Sequence, residues 1–417
     1  MVFPCALRRA PCARRKATDM QTYLTPHIPG TGGEIKETPE DFLVAEIPLY
    51  LPSGEGEHTY VEIEKRGITT LEAIRRIARA VGLPEREIGY AGMKDAKALT
   101  RQTLSVPRTP PQQLLALEIP GIRFLSAQRH RNKLKMGHLF GNRFRIRVRG
   151  TAEGARERAQ AVLEVLVQRG VPNRFGEQRY GGQGNSHLIG GALLRNDFRG
   201  AVDALMGDPD KVRTPDWKNA IIAWRKGNPE ECLRLLPGAC RGEREVVKRL
   251  VDRPGEWERA LRGVDPRLKT LYLNAFQSYL FDRVLEERLP DLDRIEEGDL
   301  AWKHANGACF LVTDPDAEAP RVAAFEISPT GPLFGGRMTR PAGAVLAREN
   351  QILTAEGLTL ADFDLPGKAR MDGERRPLRV PLSEPAVEYD PEGLVISFAL
   401  PRGSYATSVL REVMKTG

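Results

Sequence analysis

Period-two alternation is the clearest signal along this chain. In Phe144-Arg-Ile-Arg-Val-Arg149 the apolar residues fall on one side of an extended backbone and three arginines on the other. Tyr60 to Glu64 alternates in the same way, and Phe42, Val44 and Ile47 stand at near-alternating positions. Thr103 to Val106 is a short β-rich run, and Leu394 to Leu400 reads as a strand near the end. Helical spacing lies between these runs. Leu71, Ile74, Ile77, Ala78 and Val81 recur on one face, preceded by Thr69 and Glu72 at capping-box spacing and stopped by Gly82-Leu-Pro84. Ala159, Val162, Leu163 and Leu166 predict a helix over Ala155 to Val167, with Gly170 as its C-terminal residue. Leu271 to Leu289 predicts a longer one with a stripe of Phe276, Leu280, Phe281, Val284 and Leu285, and Ser404 to Met414 a closing helix. From Asn196 to about Arg267 the chain is charged, broken by proline and expected to be helical. Ala308 to Thr313 is strand-like, Pro329 to Gly343 is rich in Gly and Pro, and six charged residues between Arg370 and Arg379 predict a return loop.

At 417 residues the chain exceeds the size at which single cores stop growing, so two domains are expected. The net charge of +8 and a pI near 9.3 favour an anionic partner such as nucleic acid. Half of that charge, +4, comes from Arg8, Arg9, Arg14, Arg15, Lys16 and Asp19, so residues 1–19 read as a disordered basic leader, or as an over-extended start with Met20 as initiator. The leader lacks the apolar run of a secretory signal, and no apolar stretch approaches the roughly 18 residues of a membrane span. Five cysteines without a Cys-x-x-Cys pair are expected to be reduced thiols of a cytoplasmic protein. The histidines show no zinc-like spacing. Gly30, Gly32 and Gly33 are not followed by Gly-Lys-Ser/Thr, and Gly182-Gln-Gly-Asn-Ser-His187 lacks the last glycine of a dinucleotide fingerprint.

The chemistry centres on Gly89-Tyr-Ala-Gly-Met-Lys-Asp-Ala-Lys97, where a small-residue turn delivers one carboxylate, Asp95, between Lys94 and Lys97. A solvated loop with weak ion pairs would account for such a residue in isolation. Its context is more specific. Gly92-Met-Lys-Asp95 with Ala98-Leu-Thr-Arg-Gln102 resembles the signature of the TruD family of tRNA pseudouridine synthases. Lys36 with Pro39-Glu-Asp-Phe42, Gly141-Asn-Arg-Phe144 with Pro172 to Gly181, and Leu400-Pro-Arg-Gly-Ser-Tyr-Ala-Thr-Ser408 match the family pattern in the same order. Together the matches run from about residue 23 to 413, loosely between roughly 200 and 370.

The resemblance implies an α+β (α/β) fold: a pseudouridine-synthase catalytic domain on a mixed, largely antiparallel sheet, interrupted by an inserted TruD-specific α/β domain. The expected division is 20–173 for the first part of the catalytic domain, 174–370 for the insertion and 371–417 for the return. It also implies a tRNA uridine isomerase, with position 13 as the family's usual target, acting without cofactor or metal. Asp95 would be the nucleophile and Lys36 the active-site cation, with Lys94 and Lys97 as further candidates. Phe42, Asn142 and Tyr405 would contact the substrate nucleotide, and Phe144 would pack on the base where most other pseudouridine synthases have Tyr. The strand pattern adds Arg145, Arg147 and Arg149 as RNA-backbone candidates. tRNA is the expected partner, no membrane is involved, and the protein is expected to be a monomer. A catalytically silent RNA-binding protein or RNA chaperone on the same fold is the alternative, for which the basic Gln128 to Arg149 stretch would suffice.

Overall fold

The computed structural model describes residues 23–365 and 370–416, so the basic leader expected at 1–19 lies outside the described residues. The first half of the chain supplies β1 (Phe42–Pro48), β2 (His58–Arg66), β3 (Gly89–Tyr90), β4 (Leu99–Pro107), β5 (Ile122–His130) and β6 (Leu139–Val148). Helices α1 (Thr70–Val81), α2 (Pro111–Leu115) and α3 (Ala155–Arg169) lie among and after them. A short β7 (Val171–Pro172) leads into a helical stretch: α4 (Ser186–Leu194), α5 (Phe198–Met206), α6 (Pro215–Arg225), α7 (Pro229–Leu235), α8 (Arg241–Asp252), α9 (Trp257–Leu261) and α10 (Pro266–Arg288). Then come β8 (Leu300–Lys303), β9 (Cys309–Leu311), α11 (Pro315–Ala323), β10 (Ile327–Leu333) and α12 (Gly343–Ala355). The chain closes with β11 (Glu374–Pro377), β12 (Arg379–Val380), β13 (Ser383–Asp390), β14 (Gly393–Pro401) and α13 (Ala406–Met414).

Eight strands form the large sheet in the order β13-β14-β6-β1-β4-β2-β5, with β3 on β4. β1 and β4 run parallel and the other neighbours antiparallel, which is the mixed, largely antiparallel sheet the sequence implies. Alternation decides which side is buried. Val44, Phe144 and Phe398 are register partners across β1, β6 and β14, and they share a core with Ala159, Val162 and Leu163 of α3 and Val409 of α13. On the same side of the sheet, Val61, Ile63 and Leu104 pack against Ala73, Ile74 and Ile77 of α1. Each fully buried side chain of this size contributes about 1.5–3 kcal/mol.

The return to the large sheet is the C-terminal β13-β14 hairpin, so residues separated by about 250 positions meet in one sheet. The second sheet, β11-β10-β8-β9, is antiparallel, and β12 pairs with β7. The apolar stripe of α10 is buried as its spacing predicts, in the same core that reaches the large sheet. No helix among the described residues is long and apolar enough to cross a membrane.

Three local expectations are corrected. Leu71 is exposed and Thr70 and Ala73 take the buried positions beside Ile74 and Ile77. Thr69 does cap α1, accepting from the Glu72 amide at 3.1 Å, but the Glu72 carboxylate turns to Arg75 and Arg76 one turn on, leaving the capping box half formed. The charged stretch from Arg370 to Arg379 is not a solvated loop: it holds β11 and β12, and Arg375 and Arg379 are buried. Their donors find acceptors internally, with Arg375 forking onto the Glu349 carboxylate at 2.7 and 3.0 Å and Arg379 donating to the Arg169 carbonyl and the Ser328 hydroxyl. Similarly β10 runs through Pro329 and Pro332, pairing with β8 over Ile327 to Pro329 and with β11 over Thr330 to Leu333.

The buried Arg375–Glu349 pair generates a stability prediction. Burial raises the Glu349 pKa and Arg375 opposes that rise, so removing the arginine alone strands a carboxylate. Arg375→Met is expected to cost about 3–5 kcal/mol in urea unfolding, and Arg375→Met with Glu349→Leu much less. A single variant as stable as the parent would show that the pair is not coupled.

Candidate active site

β4 runs beside β1 only from Leu99 to Arg101, where it faces Leu43 to Ala45. Past that point the Glu46 side chain takes over, accepting from the Thr103 amide at 3.0 Å and from the Lys94 ammonium at 2.5 Å. Both side chains of the Glu46–Lys94 pair are buried. The Lys94 amide donates to the Thr70 hydroxyl at 2.9 Å, and that hydroxyl donates to the Gln102 side-chain oxygen at 2.9 Å. The segment before Asp95 is therefore tied to β1, α1 and β4 at once. Thr100 and Gln102, conspicuous in the sequence signature, are buried strand residues beneath it.

The carboxylate itself stays accessible, with 38% of the Asp95 side chain exposed. Its Oδ2 accepts from Lys36 Nζ at 2.8 Å and its Oδ1 from the Lys97 amide at 3.1 Å. Burial alone would raise its pKa. The hydrogen bonds from Lys36 and the Lys97 amide, with the Lys36 charge, outweigh that and hold it below the ordinary aspartate value. Of the three candidate lysines, Lys36 grips the carboxylate, Lys94 is committed to Glu46, and Lys97 contributes its backbone amide.

Lys36 reaches Asp95 from a turn in which its own φ is 64°, a left-handed conformation that costs a side-chain-bearing residue roughly 1–2 kcal/mol. Its ammonium also lies 4.3 Å from the centre of the Phe42 ring. Phe42 meets Phe144 edge to face at 6.4 Å, and Phe144 packs on Phe398 at 5.4 Å. Lys36, Asp95, Phe42 and Phe144 are thus linked by direct contacts.

Asn142 lies on the same side of β6 as Phe144, opposite Glu46 and Leu400. Its Oδ1 is buried and has no hydrogen-bond partner among the described residues. Phe42 faces Ile146 at the other end of the shared strand pair, so roughly 13 Å of extended backbone separates the two levels. Tyr405 stands at the N-terminus of α13 with its ring 6.1 Å from Phe175. It belongs with the second signature segment rather than with the phenylalanine pair. That segment is a joint: Asn173 bonds the Pro377 carbonyl and Arg376, Arg174 pairs with Glu286, and the Phe175 amide and Tyr180 hydroxyl both reach Asp282 on α10.

The three strand arginines separate. Arg147 and Arg149 converge on Asp41, which is fully buried, and also contact Glu392, with Arg147 bonding Asp390 as well. Those bonds hold the Asp41 pKa down to about 2. Arg145 is exposed and, among the described residues, has no ion-pair or hydrogen-bond partner for its side chain.

Sequence reasoning missed Lys65, the last inward-facing residue of β2, which is 1% exposed. Its ammonium donates to the carbonyls of Ile68 at 2.7 Å, Asp95 at 3.1 Å and Lys94 at 3.4 Å. The signal was present: Val61, Ile63 and Lys65 continue one alternation, which places a lysine on the core side.

A mixed sheet that presents an accessible, cation-held carboxylate beside an edge-to-face aromatic pair gives this α+β protein a candidate site for carboxylate chemistry. The family model described as tRNA pseudouridine synthase D (TruD) matches residues 17–413. tRNA pseudouridine synthase D of Geobacter metallireducens is 66% identical over 395 residues, 95% of this chain and 98% of that one. The protein of that name from Thermus thermophilus is 42% identical over 94% of this chain and 92% of its own. A crystal structure of the putative tRNA pseudouridine synthase D from Methanosarcina mazei superposes with a TM-score of 0.83 at 29% identity, over 95% of this chain and 97% of that one. The chain belongs to the TruD family of tRNA pseudouridine synthases, isomerases that act on tRNA.

The Lys36–Asp95 bond yields a pH prediction with a fixed sign. Lys36→Met removes the leading contribution that lowers the Asp95 pKa and leaves burial, which raises it. The acid limb of the isomerisation rate is expected to move to higher pH in Lys36→Met than in the parent. An unmoved limb, measured from about pH 4.5 to 7.5, would separate the two residues.

Proposed function

We propose that this protein converts uridine to pseudouridine in tRNA, at position 13, with Asp95 as the nucleophile and without a cofactor. The observation that carries this reading is the Lys36–Asp95 contact of 2.8 Å at an accessible carboxylate beside the Phe42–Phe144 pair. The reaction breaks the bond between ribose C1′ and uracil N1, turns the base and joins C1′ to C5. The C5 proton leaves and N1 gains one, so the product is an isomer and no redox partner enters the balance. Attack on C6, attack on C1′ and the route through a glycal all require an ionised carboxylate, which the lowered Asp95 pKa supports.

In this reading the target uridine leaves its stack, at a cost of a few kcal/mol, and is held beside Phe144 with Phe42 behind it. Asn142, whose buried Oδ1 lacks a partner among the described residues, turns its side-chain amide to the uracil edge as the base enters, and Tyr405 supplies an aromatic face from the joint region. The inserted domain runs from about residue 174 and takes β11 (Glu374–Pro377) as a strand of its sheet, so the return of the catalytic domain begins after β11. The protein works as a monomer in the cytoplasm. Arg145 is the phosphate contact of the strand arginines, because Arg147 and Arg149 are neutralised by carboxylates.

Pseudouridine mapping on an unmodified tRNA transcript with uridine at position 13 tests the reading, using the parent protein and Asp95→Asn without metal or nucleotide. The parent is expected to isomerise that uridine and Asp95→Asn to lose at least about 10³-fold in rate. A parent that binds the transcript but leaves every uridine unchanged would favour a silent RNA-binding role. Binding measured against salt checks the arginines: Arg145→Ala should reduce the slope of log K against log salt by about 1, whereas Arg147→Ala should leave the slope and lower thermal stability.

A further inference from the structure

We propose that Lys65 is a positioning residue for the reaction, holding the Asp95 loop from beneath through the backbone while Lys36 holds the carboxylate from outside. The proposal rests on the assignment of Asp95 as nucleophile.

Among the described residues Lys65 is a buried cation without a carboxylate partner: the acceptors around its ammonium are the carbonyls of Ile68, Lys94 and Asp95. A buried charge of this kind is costly, and a methionine would fill the same volume with no desolvation penalty. The geometry points to what the charge does. An ammonium has three donors, and here three carbonyls converge on it. Two of these belong to Asp95 and the residue before it, so their peptide planes are fixed, and with them the direction in which the Asp95 side chain leaves the backbone. Register adds a rigid base: Lys65 faces Thr100 on β4 and Ile122 on β5, so the end of β2 from which it projects is held by a neighbouring strand on each side.

The charges acting on Lys65 are those of Asp95, which favours the ammonium, and Lys94, which opposes it. Thr100 and Ile122, which face it from the neighbouring strands, do not titrate. Burial is the largest influence and pulls its pKa down to about 8. An unfolded lysine titrates near 10.4, so between about pH 8 and 10.4 the unfolded chain binds the extra proton and rising pH adds stability. Loop positioning has the opposite sign. The neutral amine keeps two donors and turns a lone pair toward a carbonyl, so activity falls in the window where this residue's contribution to stability rises.

The test is the dependence of kcat and KM on pH, from about 6.5 to 9.5, with a tRNA transcript as substrate for the parent, Lys65→Met, Lys65→Arg and Asp95→Asn. In the parent, kcat is expected to decline through an alkaline limb near pH 8 with KM unchanged and no fall in melting temperature. Lys65→Met is expected to lower kcat about 10- to 100-fold at pH 7, the scale of an ångström-level misplacement, with KM within about twofold and the limb abolished. If Lys65→Arg folds, its limb should vanish because guanidinium does not titrate in this range. A parent kcat that stays flat to pH 9.5, or a folded Lys65→Met with parental kcat, would overturn the proposal. Should either substitution fail to fold, the parent profile still decides. Full activity in Asp95→Asn would instead overturn the reading of the nucleophile on which this rests.

Discussion

A carboxylate that meets a substrate must be exposed and yet remain ionised and fixed, and the contact between Lys36 and Asp95 satisfies those conditions together. The cation lowers the pKa that burial would raise, and it sits over the Phe42 ring, which ties the charge pair to the aromatic floor. Almost everything in the first half of the fold serves to bring these two residues within 2.8 Å. They lie 59 positions apart, one before β1 and the other before β4, and the parallel β1–β4 pairing places those two strand starts side by side. An antiparallel pairing of the same strands would put them at opposite ends.

The loop that carries Asp95 is held mainly through groups other than the Asp95 carboxylate. Lys94 reaches Glu46 with its side chain and Thr70 with its amide, and Lys65 takes the carbonyls from below. Such division leaves both carboxylate oxygens with donors on one side and exposure on the other. The second signature segment uses polar residues in a comparable way but to a different end: Asn173, Arg174 and Tyr180 fasten the first sheet's approach to α10 and β11. A conspicuous motif can mark a mechanical joint as readily as a reacting group.

Charge is where composition misleads most. The stretch from Gln128 to Arg149 looks like a continuous basic surface, yet Arg131 pairs with Glu55, Arg143 with Glu384, and Arg147 and Arg149 with Asp41 and Glu392. Arg145 keeps the open guanidinium among the strand arginines. The charged run near residue 375 is likewise interior, because each buried guanidinium finds an acceptor that lies far off in sequence.

The sequence by itself determined the strands at Phe42, Tyr60, Phe144 and Leu394, the helices at α1, α3, α10 and α13, and the order of motifs that marks the family. These are readable because hydrophobic periodicity and motif spacing are local properties of a chain. The tertiary structure decided which lysine holds Asp95, which arginines are spent on neighbouring carboxylates, and that Lys65 and Glu46, each continuing an inward alternation, would be buried polar residues under the loop. The physical reason is that an ion pair depends on separation in space, which strand register and sheet order fix and residue spacing does not.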